Sequence, residues 1–170
     1  IRRQEESIYR KQLRLKDPEL ERFGSLILYN LNEAEAVLTD NNDIQIYTDG
    51  KEKFRSLIYE IEHARNYIHI QYYIIKNDEL WQQIEEVLIR KAKQGVEIRV
   101  LFDSMGCRTM HNRDWARLEK AGIAVAEFFP ALLGKLQLRV NYRDHRKIVI
   151  IDGRIGFVGG CNVGREDLGK

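Results

Sequence analysis

Residues 145–162 read His145-Arg146-Lys147-Ile148-Val149-Ile150-Ile151-Asp152-Gly153-Arg154-Ile155-Gly156-Phe157-Val158-Gly159-Gly160-Cys161-Asn162. Two mostly apolar runs, 148–151 and 155–158, flank Asp152-Gly153, a pair that favours tight turns. The stretch therefore predicts an antiparallel hairpin. Along a strand, side chains at i and i+2 share a face. His145 and Lys147 thus project together, and Arg146 faces away. An imidazole beside an ammonium suits a phosphate ester: the ring can attack phosphorus and the ammonium can hold the anionic oxygens. The returning strand carries Gly159, Gly160 and Asn162 back towards His145, where backbone N–H groups and an amide can meet the same phosphate.

Upstream, strands alternate with helices. Ile44–Tyr47 reads as a short strand ending at Asp49-Gly50. Phe54, Leu57, Ile58 and Ile61 fall at helical spacing, which predicts a helix over 51–65. Residues 67–75 (YIHIQYYII) are β-branched and aromatic, a strand composition. Asn77 is expected to cap the next helix, with Leu80, Trp81, Ile84, Val87 and Leu88 as its apolar stripe. Arg90, Lys91 and Lys93, then Gly95, end it. Residues 96–102 form a further strand, His111 starts a helix that Gly122 stops, and 123–129 form a fourth strand. This β-α-β-α-β order implies an α/β fold, with a largely parallel sheet, helices on its faces and the hairpin added at the end. Ahead of it, residues 1–43 read as a helical arm or linker, in which Asp17-Pro18 opens a helix to about Leu31. Residues 44–170 form the main domain.

Composition sets bounds. The 170 residues are 44% hydrophobic and 32% charged, which is globular and argues against disorder. Two cysteines, not in a C-x-x-C pair, make neither a disulfide framework nor a zinc knuckle. No apolar run approaches the roughly 18 residues of a membrane-spanning helix, and no signal peptide is visible. The chain opens on Ile1 rather than Met, so it is expected to be a piece of a longer protein. Residues 130–170 carry 8 Lys/Arg and 4 Asp/Glu, against 20 and 22 in residues 1–129. Positive charge thus gathers at the C-terminal end, where anions are favoured.

His145-x-Lys147-x4-Asp152 followed by Gly159-Gly160-x-Asn162 resembles the HKD motif of the phospholipase D superfamily. Residues 68–73, 100–103, 128–130, 141–147 and 159–164 are similar to bacterial cardiolipin synthases. The resemblance covers about residues 44–170. It implies a phospholipase D-like domain with a mixed, largely parallel sheet flanked by helices. It also implies a phosphatidyltransferase that joins two phosphatidylglycerols into cardiolipin, releases glycerol, and needs no metal or organic cofactor. His145 becomes nucleophile or general acid, Lys147 and Asn162 bind phosphate, and Gly159 and Gly160 serve the same pocket. Asp152 belongs to the signature, but its hairpin position suggests that it orients the turn. The superfamily builds one site from two such motifs, and this chain has one. It is therefore expected to be the first half of a site, inactive alone or weakly active as a homodimer.

The implied partners are phosphatidylglycerol and other anionic phospholipids, a membrane surface and a second HKD half, with no nucleic acid. The implied location is the cytoplasmic face of a bacterial cell membrane, with an anchor upstream of the chain. Two alternatives stay open: a single-motif phosphodiesterase acting on nucleic acid as a homodimer, and a non-catalytic lipid-binding module. Residues 128–138 (FFPALLGKLQL) read either as a buried strand and turn or as a loop dipping into a bilayer. His69 shares a face with Gln71 and Tyr73, as a core histidine or as polar lining near the site. His63 is expected on the surface, and Cys107 and Cys161 as free, small buried groups.

Overall fold

The computed structural model describes residues 18–39, 42–129 and 143–169. It divides into two compact units, residues 1–46 and 47–170. In the first, α1 (Pro18–Glu21) and α2 (Gly24–Ala34) stand where one helix to Leu31 is expected. The break falls next to Gly24, a poor helix former. The second helix runs past Leu31 and ends at Glu35, in the left-handed region with φ 50°. Asp17 and the arm at 1–16 lie outside the described residues. The expected strand at Ile44–Tyr47 does not form. Ile44 and Ile46 are 78% and 83% exposed, and among the described residues no neighbouring strand supplies a ladder.

Asp49-Gly50 starts a helix instead. The Asp49 carboxylate accepts from the backbone N–H groups of Lys51 and Glu52, capping α3 (Gly50–His63). Then follow β1 (Tyr67–Tyr72), α4 (Glu79–Lys93), β2 (Glu97–Asp103), α5 (Asn112–Lys120) and β3 (Ala124–Phe128). The hairpin β4 (Lys147–Ile151) and β5 (Ile155–Val158) and a 3-10 turn at Arg165–Leu168 complete the described chain. The cap of α4 is Asp78, not Asn77. Asn77 instead donates through Nδ2 to Asp114. His111 is the N-cap of α5, as expected, and its backbone N–H is held by Asp114.

The sheet order is β3-β2-β1-β4-β5. β1, β2 and β3 pair in parallel, and β4 runs antiparallel to both β1 and β5. Four strands therefore share one direction, and β4 alone opposes them. Register puts Ile68, Ile70 and Tyr72 on the same face as Ile98, Val100 and Phe102, with Val149 and Ile151 beyond them. All eight are buried in one core with Phe54, Leu57 and Ile61 of α3, the predicted stripe of α4, and Trp115 and Leu118 of α5. The described helices of this unit thus flank one face of the sheet, not both. Residues of the other face, such as His69, Arg99 and Ile150, are half-buried or exposed.

Candidate active site

Parallel strands deliver their C-terminal ends to one edge of a sheet, and crossover helices begin there. β1 ends at Tyr72 beside Lys147, which opens β4, and Val158 pairs with Ile148. Gly159 and Gly160 therefore follow β5 level with Lys147. His145 lies two residues before β4 and is exposed. Its ring meets Tyr73 edge-on, with centroids 4.2 Å apart. The Lys147 ammonium lies over the same Tyr73 ring at 5.2 Å and donates to the His145 carbonyl at 2.7 Å. The two groups thus share one side, as the i, i+2 spacing predicts. An ammonium has three donors, so two remain for an anion.

Asn162 arrives by a different route. Val163 forms a parallel bridge with Ile75, its N–H donates to the Ile74 carbonyl at 3.0 Å, and its carbonyl accepts from Lys76 at 2.9 Å. This stitching sets Asn162 beside the segment that carries Tyr73. Its Oδ1 is buried with no hydrogen-bond partner among the described residues. Gly159 and Gly160 are exposed, and a Cβ on either would meet nothing within 4 Å. Backbone there is open to an approaching ligand.

Asp152 is elsewhere. It sits at the opposite end of β4, roughly 20 Å from His145 at strand rise per residue. Its Oδ2 accepts from Arg65 N–H at 2.8 Å, and its Oδ1 accepts from Asn66 and Tyr67 N–H at 2.7 and 2.9 Å. Burial opposes ionisation of this carboxyl. The three amides, with Lys91 nearby, outweigh it and hold the pKa below the usual value. Asp152 adopts φ 54° and Gly153 φ 65°, so the acid shapes the turn and ties it to the start of β1.

Four further residues, given no role by the sequence reading, build the site. Asp103 is wholly buried; its Oδ1 accepts from Met105 and Gly106 N–H, and its Oδ2 accepts from Asp144 N–H at 3.1 Å. Asp144 in turn accepts from Arg146 N–H and from the Gln71 amide. Gly106 presses on the Tyr73 carbonyl so closely that a Cβ would lie 2.0 Å from it. One turn after β2 therefore braces both the peptide before His145 and the ring beside it. The fourth residue, Lys53, donates to the Tyr72 hydroxyl at 2.7 Å, directly behind Lys147 in register. Burial lowers its pKa to about 8, with Cys161 and Asp167 pulling it back up. Burial also raises that of Tyr72. Gln71 and Tyr73 could be found by their alternation with His69, and Asp103 and Asp144 fall within the family-like stretches 100–103 and 141–147; Gly106 and Lys53 carry no local signal.

The remaining histidines and cysteines fall out as follows. His69 is neither core nor lining: its ring packs on Tyr67 on the face that the described helices leave uncovered. His63 is exposed and bonded to the Tyr59 carbonyl. Cys107 is buried and free, and burial pushes its thiol up to about 12; Cys161 is free and half-buried. Phe129 and Arg143 stack at 5.5 Å, so the ends of the segment between them meet beside Asp144. Residues 130–138 lie outside the described residues. Among those described, no cluster of three or more His, Cys, Asp or Glu is placed to hold a metal, and no helix is long and apolar enough to cross a membrane.

The fold and this edge define a phospholipase D-like domain. NucT from Helicobacter pylori superposes with a TM-score of 0.51 at 22% identity, covering 70% of this chain and 72% of that one. The chain belongs to the family described as cardiolipin synthase, PLD-like domain, which it matches over residues 57–169. It is 45% identical over 158 residues to cardiolipin synthase of Oceanobacillus iheyensis, covering 93% of this chain and 33% of that protein. It is 48% identical over 144 residues to the major cardiolipin synthase ClsA of Bacillus subtilis, covering 85% and 30%. The chain thus spans about a third of the length of these relatives.

Proposed function

We propose that this chain supplies one half of a phosphatidyltransferase site that joins two phosphatidylglycerols into cardiolipin. The observation that carries the reading is the convergence of His145, Lys147 and the Asn162 amide, whose Oδ1 has no partner among the described residues, around Tyr73–Ile75. A buried amide atom without a partner costs about 1–3 kcal/mol, which a bound ligand offsets. A phosphodiester supplies acceptor oxygens for Lys147 and the Asn162 Nδ2. The glycerol hydroxyls supply donors for its Oδ1.

The His145 imidazole attacks phosphorus and the bond to the departing glycerol breaks, leaving phosphatidyl on the ring nitrogen. The glycerol oxygen takes its proton from the histidine of a second HKD motif. That histidine then accepts the proton of an incoming phosphatidylglycerol hydroxyl, whose oxygen attacks phosphorus and frees His145. The second motif comes from a longer polypeptide or from another copy of this chain. The site works at a membrane surface, since both substrates are lipids.

The test is product formation on phosphatidylglycerol vesicles, resolved by lipid chromatography, over a range of chain concentrations. Cardiolipin and glycerol should appear slowly, rise more steeply than linearly with concentration, and vanish in His145→Ala. Equal product from the variant, or cleavage of DNA without lipid turnover, overturns the reading.

A further inference from the structure

Between the first turns of α3 and α4 and the 3-10 turn lies a groove of about 330 Å³. Lys51, Arg55 and Arg165 rim it, against the single carboxylate of Glu79, and Ile58 and Leu168 supply apolar floor. The charges are placed against local preference. Lys51 stands in the first turn of α3, at the positive end of the helix dipole, where cations are disfavoured. Arg55 follows it at i+4, where like charges repel. None of the three forms an ion pair among the described residues; Glu166, beside Arg165, is taken by Lys76.

We propose that this groove binds the headgroup end of an anionic phospholipid within a bilayer, at a site separate from His145. Three cations lining one groove relieve their mutual repulsion on an anion, and the apolar floor accepts the glycerol and first methylenes behind it. A bare phosphate leaves that floor unused. A single-stranded nucleic acid is held by stacking on exposed aromatic faces, and the groove's aromatic residue, Phe54, is 1% exposed. Arg165 N–H donates to Asp78 at 2.7 Å, and Val163 is bridged to Ile75. The groove therefore lies at the end of the sheet that carries His145.

Co-sedimentation with vesicles tests this without reference to turnover. The chain should pellet with phosphatidylcholine vesicles containing phosphatidylglycerol and not with phosphatidylcholine alone. The triple variant Lys51→Gln/Arg55→Gln/Arg165→Gln should bind on the order of a hundredfold more weakly, about fivefold per cation. A charge-matched control at the other end of the fold, Lys93→Gln/Lys120→Gln/Arg154→Gln, should bind like the parent. Ile58→Ser should weaken binding roughly fivefold. Thermal unfolding midpoints establish that each variant is folded. Failure of the parent to pellet, equal loss in both charge sets, full retention by Ile58→Ser, or displacement of the vesicles by a DNA duplex each overturn the proposal.

Discussion

Asp103, with no exposed surface, accepts three backbone N–H groups, and one of them belongs to the residue before His145. In Asp103→Asn one oxygen becomes a donor, so either Asp144 or the Met105–Gly106 turn loses its partner. The imidazole then wanders, and small misplacements of a reacting group cost up to about a hundredfold in rate. Glycerol release should show kcat falling by roughly tenfold or more with KM little changed, because Lys147 and Asn162 stay in place. An unchanged kcat removes Asp103 from the account. Lys53 makes a prediction of opposite character. Its folded pKa of about 8 lies below the ordinary lysine value of 10.5. Above pH 8 the folded chain has released a proton from Lys53 that the unfolded chain still binds, so stability rises from about pH 8 to about pH 9, where the Cys107 thiol, held protonated by burial up to about 12, begins to cancel the gain. Beyond that, Tyr72, raised by burial, reverses the trend. Urea unfolding should show the rise in the parent and lose it in Lys53→Met.

At the scale of the element, the β4–β5 hairpin was legible because its signals are local: apolar runs, Asp152-Gly153, and the i, i+2 spacing of His145 and Lys147. α4 was legible through its stripe. Ile44–Tyr47 was misleading for the same reason, since short alternation says nothing about whether a partner strand exists. Asp78 and Asn77 are equally good caps by type, and the choice fell to Asp114, far away in sequence, which engages Asn77. The hairpin turn carries its own prediction. Asp152→Asn keeps a residue type that tolerates positive φ but loses the carboxylate that holds three amides. It should be destabilised by about 1–3 kcal/mol at neutral pH. The folded pKa of Asp152 is depressed, so its contribution is present above the usual carboxyl range and lost as pH falls through the lowered value. The gap between parent and variant in thermal unfolding should close in acid. Activity per folded molecule should not change. A gap that stays constant in acid, or a lost turnover step, contradicts the structural role.

For the whole molecule, the alternation of strands and helices gave the mixed sheet, but not that its described helices lie on one face. That depends on how chain segments far apart in sequence cover the sheet. The site divides likewise. His145, Lys147 and Asn162 announce themselves by type and spacing, whereas Asp103, Gly106 and Lys53 act through partners that only the fold brings near. The reading of the protein as half of a lipid-transfer site rests on His145 as the nucleophile. The most direct measurement is peptide mass spectrometry after rapid quenching of the chain mixed with phosphatidylglycerol vesicles. The account predicts a phosphatidyl adduct on the peptide bearing His145, transient, and absent from His145→Ala. No adduct at that residue, or an adduct on any other, contradicts it.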